Sequence, residues 1–346
     1  MSCGDGSALE SQSPPAVKIS VIVPVHYGGD KLRRCLTSIA HANPSPEELI
    51  VVGDGDTDGS WSIAGEFGAK SLKLEVSGGP ARARNIGAMA AKGDILLFID
   101  ADVIVPTDII GRVAAVFQEK PGIDALIGSY DDEPEERNFL SQYKNLFHHY
   151  VHQRSRREAS TFWGACGAIR RDVFLAAGGF DEGYHRSSIE DIAFGYRLRK
   201  AGYKILLAKE IQVKHLKYWG IRSLVRSDFL DRALPWTELI LQRGGFINDL
   251  NLSFSSRISV VLIYAMLITM IVAVWSVKAL VLTGAFTMLL IVINLPVYGF
   301  FLHKRGAWFM MKMIPWHWLY YFYSGLAFLT AIGRHLLLRR KGQKGH

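Results

Sequence analysis

The feature that most constrains this chain is a pair of long, uncharged apolar stretches in its last third. No charged residue occurs in Ile258–Val277 or in Ala279–Leu302, and only Lys278 separates them. Each is long enough for a helix of about 20 residues to cross the ~30 Å hydrocarbon core of a bilayer. A third apolar stretch follows at Met313–Gly333. We predict two to three transmembrane helices within 258–337. A buried helix of a soluble domain is the alternative for any one of them.

The net charge of +8 comes from local basic clusters that flank apolar segments. The clusters are Arg154 with Arg156 and Arg157, Arg222 with Arg226, residues 303–305, and a basic tail at 338–346. Nucleic-acid binding is one interpretation of such clusters, but contact with anionic lipid heads on the cytoplasmic side explains their positions better. We therefore expect no nucleic-acid partner. A full third span would export the basic tail, so Met313–Gly333 is alternatively re-entrant or interfacial.

The first residues lack the basic segment and apolar core of a secretory signal, so we expect the soluble part to stay in the cytoplasm. Residues 1–17 are predicted to be a disordered tail. Three scattered cysteines are too few for a disulfide framework, which agrees with a reducing compartment. We expect a multi-pass membrane protein, of the inner or plasma membrane if bacterial, whose soluble part is cytoplasmic.

Short apolar runs alternate with amphipathic stretches from Lys18 to about Tyr130. The predicted strands are Ile19–Val25, Leu49–Val52, Leu72–Val76 and Ile95–Ile99. The predicted helices are Lys31–Ala40, Ser60–Phe67, Ala81–Ala91 and Asp108–Gln118. This alternation predicts an α/β fold with a mainly parallel sheet between two layers of helices. Ligands of such sheets bind beyond the carboxyl ends of the strands.

The remainder of the chain is less regular. Residues 133–158 are predicted to be helical, and residues 159–216 form short mixed elements. The basic, aromatic segment 218–257 is either an interfacial amphipathic linker or a packed surface helix. The soluble domain is therefore predicted to span residues 18–217, ahead of an all-helical transmembrane region.

Two carboxylates, Asp100 and Asp102, follow the apolar strand Ile95–Ile99 directly. A buried strand that ends in two charges needs compensation for them, and Mg²⁺ or Mn²⁺ shared with a ligand's phosphates supplies it. A solvated loop or a helix N-cap is the alternative.

A second polar turn, Gly53-Asp54-Gly55-Asp56, also follows an apolar strand. Asp54 is positioned to accept hydrogen bonds from a base or a ribose, whereas Asp56 is interpreted as solvated and Asp58 as the N-cap of the next helix.

Two further segments carry charges at a predicted helix start. Arginines at Arg82 and Arg84 follow Gly78-Gly79-Pro80, and a helix N-terminus tolerates them best when an anion lies nearby. A surface-exposed basic turn is the alternative. Glu190 and Asp191 begin another predicted helix, where acidic residues are also ordinary capping groups.

Taken in order, these motifs resemble the family 2 glycosyltransferases, which are inverting enzymes of the GT-A fold that use nucleotide-sugar donors. The resemblance covers about residues 19–215. It rests on Pro24 after the first strand, the Asp54 turn, Ala83-Arg84-Asn85, Asp100-Ala101-Asp102, Gly178-Gly179-Phe180-Asp181-Glu182 and Glu190-Asp191.

The resemblance implies a role for each matching residue. Asp191 is the expected catalytic base. The expected donor-binding residues are Pro24, His26, Asp54, Gly79, Arg84, Asp100 and Asp102. The expected metal ligands are Asp102, Asp100 and His215, and the expected acceptor-side residues are Gly164, Ala165 and Glu190. An ordinary strand-end histidine is the alternative for His215.

Three departures from the family pattern bear on these expectations. Gly53 stands where many relatives have an aspartate, and His26 replaces a more usual Asn, Thr or Tyr. No Gln-x-x-Arg-Trp motif follows Asp191, and few spans are present, which argues against a processive synthase.

The implied function is a metal-dependent transfer of a sugar to an acceptor that the membrane region predicts to be lipid-linked, as in cell-envelope biosynthesis. The candidate acceptors are a glycolipid, a polyprenyl phosphate or a lipid-linked saccharide. A catalytically degenerate scaffold or nucleotide sensor is one alternative, and a sugar-phosphate nucleotidyltransferase is another. The loop after the first strand lacks arginine, which argues against the nucleotidyltransferase.

Overall fold

The computed structural model describes residues 17–243 and 253–343, without the side chains of residues 243 and 338–343. Residues 1–16 of the predicted N-terminal tail, residues 244–252 of the linker and residues 344–346 of the basic tail lie outside these ranges. The strands are β1 (Ile19–Val25), β2 (Glu48–Asp54), β3 (Lys70–Leu74), β4 (Ile95–Ile99), β5 (Val103–Ile104), β6 (Ala125–Tyr130), β7 (Glu158–Ala159), β8 (Cys166–Arg170) and β9 (Ile205–His215). The helices are α1 (Gly29–Ala40), α2 (Pro80–Ala90), α3 (Ile109–Glu119), α4 (Phe139–Arg154), α5 (Arg171–Ala176), α6 (Glu190–Lys200), α7 (Ile221–Arg226), α8 (Leu234–Arg243), α9 (Phe254–Val272) and α10 (Val277–Gln343).

The strands of the described residues form one mixed sheet in the order β3-β2-β1-β4-β8-β6-β9-β5, with β7 beside β9. The four strands predicted from sequence pair in parallel with one another. Along β1, Val21 and Val23 pack with Leu32 of α1, whereas Ile22 packs on the opposite face with Ala83 of α2. Both faces of the strand are buried, which explains why every residue of it except Ser20 is apolar. The predicted α/β fold with a mainly parallel sheet is confirmed.

The second half of the sheet contains antiparallel pairs that the sequence did not predict. Strand β8 lies between β4 and β6 and is antiparallel to both. The long strand β9 runs parallel to β6 and then pairs antiparallel with the short β5, with Val103 opposite His215. This register carries the end of β9 back to the polar residues that follow β4.

Two helices of the described residues, α9 and α10, are long and apolar enough to cross a membrane by length and composition. Gly306, with φ 79° and ψ 173°, interrupts α10, so that it consists of two helices joined by a sharp turn. The turn directly follows the basic cluster at residues 303–305. Only glycine adopts such backbone angles readily, which is why the reversal occurs there.

The apolar helices pack against the α/β domain through α4. Tyr143 and Phe147 of α4 form a buried cluster with Val297, Phe301 and Met313 of α10. The turn at Gly306 lies against the same domain, since the preceding Lys304 and Arg305 contact Asp132 and Gln142. The helical region and the soluble domain therefore share one interface.

Candidate active site

The aspartates that follow β4 lie at the carboxyl ends of the parallel strands, as predicted. The Asp102 Oδ2 atom is 3.6 Å from His215 Nε2, because the pairing of β5 with β9 brings these residues together. The Tyr130 ring at the end of β6 stacks on His215, with ring centroids 4.2 Å apart. Burial opposes ionisation of Asp102, but His215 and nearby lysines outweigh it and lower its pKa to about 2. Asp102 is therefore a carboxylate at any physiological pH.

Arg84 connects the aspartate pair to the start of α6. Its Nη2 donates to Asp100 Oδ1 at 2.7 Å, and its Nη1 donates to Glu190 Oε1 at 3.0 Å. Burial alone would lower the pKa of Arg84, but Asp100 and Glu190 raise it above its ordinary value. The guanidinium is only 4% exposed. In this structure Arg84 and Glu190 therefore hold each other and Asp100 in place, a connection that sequence reasoning missed.

The predicted acceptor-side residues Gly164 and Ala165 contribute backbone atoms. A Cβ on Gly164 would lie 2.6 Å from the Arg84 guanidinium carbon, so the buried arginine requires a glycine at this position. The Gly164 amide donates to Asp191 Oδ2 at 3.2 Å. The Ala165 carbonyl accepts from the Asp100 amide at 3.3 Å. One backbone segment thus orients three predicted site residues.

The Asp191 carboxylate lies partly exposed at the start of α6, and its pKa is strongly shifted. Burial raises its pKa to about 7, and repulsion from the neighbouring Glu190 adds to this, against the opposing attraction of Arg84. A carboxyl group with a pKa near neutrality can accept and release a proton at physiological pH.

Asp54 holds the loop that precedes α2. Its Oδ1 accepts from the Gly78 amide at 2.7 Å, and its Oδ2 accepts from the Gly79 amide at 2.9 Å. His26 Nδ1 donates to the Asp54 carbonyl oxygen at 2.7 Å, which joins the ends of β1 and β2. Gly79 has φ 87°, and a Cβ there would lie 2.7 Å from the His185 carbonyl carbon. The predicted donor-binding residues Pro24, His26, Asp54 and Gly79 thus come from adjoining segments.

The interpretation of Asp56 as a solvated residue is wrong. Asp56 is buried, and its Oδ2 accepts from the Trp61 amide at 3.3 Å. A Cβ on Gly53 would lie 2.7 Å from Asp56 Oδ1. The Asp56 carboxylate therefore fills the space that a side chain at residue 53 would need, which accounts for the glycine. Asp58 accepts from the Ser60 amide at 3.0 Å, but Gly59, with φ 76°, is the N-cap of the helical turn Ser60–Phe67, so the predicted N-cap role of Asp58 is wrong by one residue.

The three predicted metal ligands do not form one group. Among residues 17–243 and 253–343, no three His, Cys, Asp or Glu side chains come together as a metal site. Asp100 Oδ1 is engaged by Arg84, so Asp102 and His215 remain as an adjacent carboxylate and imidazole. Such a pair fits a divalent cation whose other ligands are water and donor phosphates. Metal binding stays a prediction.

Two further residues near the aspartates were not identified from the sequence. The pKa of the Tyr130 phenol is raised well above its ordinary value, first by burial and then by the charges of Asp102 and Asp100, while Arg232 opposes the shift. The position of Tyr130 at the end of a strand is a signal that could have been used. Arg232 lies in a π-helical turn, Ser227–Ala233, for which the sequence offers no comparable signal.

Comparison with known proteins agrees with this geometry. Residues 20–176 match the sequence model described as Glycosyl transferase family 2. This match shows a family 2 glycosyltransferase domain over residues 20–176. The glycosyltransferase GlyG of Streptococcus pneumoniae is 35% identical over 117 residues, which are 32% of this chain and 38% of that protein. The glycosyltransferase AglE of Haloferax volcanii is 24% identical over 56% of this chain and 65% of its own length. The matched segments thus span less than two thirds of these relatives.

A solved structure shows the same fold over most of this chain. The mannosyltransferase PcManGT of Pyrobaculum calidifontis, solved in complex with GDP-Man and Mn²⁺, has a TM-score of 0.60 and 18% identity. The similarity covers 90% of this chain and 87% of that one. The predicted GT-A-like fold with a C-terminal helical region is therefore confirmed.

Proposed function

We propose that this chain is a membrane-anchored glycosyltransferase that moves a sugar, with inversion, from a nucleotide-diphosphate donor to a lipid-linked acceptor. One observation carries the proposal: Asp191, with a pKa raised to about 7, is joined through Gly164 and Arg84 to the aspartates at the strand ends. Asp191, which can accept a proton, thus lies in the same network of contacts as the aspartate pair that is suited to a nucleotide sugar.

The donor is assigned to the edge formed by the β1, β2 and β4 ends. Pro24, His26, Asp54 and Gly79 would surround the nucleoside, and Asp100 and Asp102 the ribose and diphosphate. The mannosyltransferase of similar fold binds GDP-Man and Mn²⁺, which supports a nucleotide sugar and Mg²⁺ or Mn²⁺ here. Asp102 and His215 would hold the cation. Bound there, it would supply positive charge against the departing diphosphate.

In the proposed reaction Asp191 accepts the proton of an acceptor hydroxyl. The hydroxyl oxygen forms the new bond to the anomeric carbon, and the bond to the diphosphate oxygen breaks on the opposite face. Arg84 keeps Asp100 in position, and the Gly164 amide orients Asp191. Glu190 raises the basicity of Asp191 through repulsion.

The lipid-linked acceptor is inferred from the apolar helices. Val274, Trp275 and Val277 are each more than three quarters exposed at the turn between α9 and α10, and exposed apolar side chains at a helix turn suit a bilayer. The basic turn at Lys304 and Arg305 lies on the domain side. This arrangement favours a multi-pass anchor with the catalytic domain in the cytoplasm.

The proposal is tested by a donor screen on the full-length protein in lipid, with and without Mn²⁺, reading released nucleoside diphosphate in the presence of a lipid extract. We expect release from one donor class. Asp191→Asn should lower transfer about 10²–10⁴-fold, the range typical of a general base. Asp102→Ala should abolish the Mn²⁺ dependence of donor binding. Near wild-type transfer by Asp191→Asn to a hydroxyl acceptor would remove the base assignment.

Gly53 supports a second candidate function, that of a nucleotide sensor without transferase activity. The family resemblance implies an aspartate at this position, whereas this chain has a glycine and Asp56 occupies the corresponding space. A sensor would bind a nucleotide sugar but release no nucleoside diphosphate with any acceptor or with water. The same donor screen separates the two functions.

A further inference from the structure

A cavity of about 400 Å³ lies where the end of α4 meets the start of α9 and both halves of α10. Val151 of α4 and Ile293 and Val297 of α10 form part of its apolar lining. Helices α9 and α10 are the candidate membrane spans, and α9 begins next to this cavity. In the topology proposed above, the cavity therefore lies at the cytoplasmic end of the spans, at the depth of the lipid headgroups.

The three arginines at the end of α4 have different surroundings. Arg157 lies outside the cavity, and its Nη1 pairs with Glu210 Oε2 at 3.1 Å. Arg154 lines the cavity, with its guanidinium carbon 5.6 Å from the centroid of the Tyr150 ring. Arg156 also lines the cavity, and it is exposed and forms no hydrogen bond or ion pair with another described residue.

The charge of the cavity is one-sided. No carboxylate of residues 17–243 and 253–343 lines it, so Arg154 and Arg156 give the described lining a net positive charge. The hydroxyl groups of Ser253, Ser255 and Ser256, at the start of α9, line it as well and are able to donate hydrogen bonds. Guanidinium and hydroxyl groups together are suitable partners for the oxygens of a phosphate.

The apolar side of the cavity continues along the outer surface of α10. Pro296 lines the cavity and is exposed, and Val292 and Leu295 of the same helix are 49% and 53% exposed. Acyl chains of a bilayer would cover such side chains. A soluble phosphate would leave this apolar surface uncovered, so a ligand that joins a phosphate to hydrocarbon chains matches the cavity better.

We infer that this cavity binds the phosphate headgroup of an anionic phospholipid from the cytoplasmic leaflet. Arg154 and Arg156 contact the phosphate, the serines at the start of α9 donate to its oxygens, and the acyl chains lie along α10. A zwitterionic lipid is disfavoured because its own ammonium group offsets the attraction to the arginines. The bound lipid contacts α4, α9 and α10 at once, and so stabilises the interface between the α/β domain and the helices.

This inference goes beyond the proposed transferase function. None of the residues assigned above to the donor, the metal or the catalytic base lines the cavity. The lipid site would therefore be present in a transferase and in a nucleotide sensor alike.

The test measures binding of phosphatidylglycerol, phosphatidylcholine and glycerol 3-phosphate to the full-length protein in detergent, by native mass spectrometry. We expect phosphatidylglycerol to bind about fivefold or more tightly than either of the others, since only it offers both net charge and acyl chains. Arg154→Gln and Arg156→Gln should each weaken its binding by about fivefold. Phosphatidylglycerol should also raise the thermal unfolding temperature of the wild-type protein.

Arg157→Gln is the matched control, because Arg157 is a neighbouring exposed arginine outside the cavity. It should leave the affinity for phosphatidylglycerol unchanged. Arg156 has no described partner, so Arg156→Gln should unfold at the wild-type temperature when no lipid is added. A loss of lipid affinity in this variant then reports on the site and not on the fold.

Several results would overturn the inference. Equal binding of phosphatidylcholine would assign the cavity to bulk lipid, and equal binding of glycerol 3-phosphate would assign it to a soluble anion. Wild-type affinity for phosphatidylglycerol in Arg156→Gln would remove the phosphate contact. An equal loss in Arg157→Gln would indicate a non-specific charge effect.

Nucleoside diphosphate release by the same preparation separates this inference from the proposed function. Specific phosphatidylglycerol binding without release from any donor would support the lipid site and contradict the transferase. Release without a preference for phosphatidylglycerol binding would contradict the lipid site alone.

Discussion

Two causes raise the pKa of Asp191, against the opposing attraction of Arg84, and they can be separated by mutation. Burial raises it most, and the neighbouring Glu190 charge adds to it. A general base must be ionised, so we expect kcat/KM to rise with pH through about 7 and to level off above. Glu190→Gln removes the repulsion but keeps a group that accepts from Arg84, and should move the rise to lower pH. A pH–rate profile measures the shift.

The control for this profile is Glu119→Gln, which removes a carboxylate at the end of α3, far along the chain from α6. It should leave the rise where it is. A rise that stays in place, or moves to higher pH, in Glu190→Gln would contradict the assigned cause.

The buried Arg84 guanidinium fits in its place because residue 164 has no side chain. We expect Gly164→Ala to displace the guanidinium, because the added Cβ would lie 2.6 Å from its central carbon. Asp100 and Glu190 would then lose their shared partner, and kcat should fall more than donor affinity. Gly122→Ala, where nothing lies within 4 Å of the added Cβ, is the matched control. Activity of Gly164→Ala equal to that of the control would contradict this role for Arg84.

The sequence predicted the candidate site residues but not the contacts between them. Asp100, Asp102 and Asp191 follow recognisable local patterns, so motif order sufficed to select them. The bridge from Arg84 to Glu190 joins residues 106 positions apart and depends on how α2 and α6 pack. Asp56 was misinterpreted for a related reason, since its burial depends on the missing side chain at Gly53, which no local pattern shows.

At the scale of elements, the turn at Gly306 divides α10 into two helices. We expect Gly306→Ala to destabilise the protein by about 1–3 kcal/mol, the usual cost of a backbone conformation that only glycine adopts readily. Gly299→Ala, within the preceding helix and with open space around the added Cβ, should be neutral or stabilise by up to ~1 kcal/mol. Thermal unfolding in detergent measures both. Effects of the same sign would contradict the turn.

The sequence predicts well the strands and helices that have a strong local periodicity. It does not predict those that form because they pair with strands distant in the sequence. Strand Ile95–Ile99 has the predicted bounds, and helix Gly29–Ala40 begins two residues before the predicted Lys31. Strand Cys166–Arg170 was missed because it is short and is held by pairing on both edges. The turn between α9 and α10 precedes Lys278, at residues 273–276, because charge alone does not mark where a helix ends.

At the scale of the whole molecule, the apolar helices predict on which side of the membrane each turn lies. The turn near residue 276 should lie across the membrane from the catalytic domain, and the turn near Gly306 on its side. In a Cys3→Ser background, where the described Cys35 and Cys166 are buried, we expect Ser276→Cys and His303→Cys to be labelled by an impermeant maleimide from opposite sides. Labelling of both from one side would contradict a hairpin across the bilayer.

A buried polar chain crosses the interface between the two parts of the molecule. The Tyr143 hydroxyl of α4 lies 3.1 Å from His317 Nδ1, and His317 Nε2 lies 3.0 Å from the Tyr321 hydroxyl. Tyr321 donates to Asn294, which in turn donates to Ser259 of α9. These directional bonds connect α4, both halves of α10 and α9, so that they fix the orientation of the helices as well as their proximity.

This shared interface limits how freely the two parts of the chain can be exchanged. A generic hydrophobic anchor from another protein would leave Tyr143 and Phe147 uncovered and the polar chain broken. The excised α/β domain would expose the same aromatic patch to water and tend to aggregate. Descendants of this chain would therefore be expected to change domain and anchor together, as one inherited unit, instead of acquiring a new anchor by recombination.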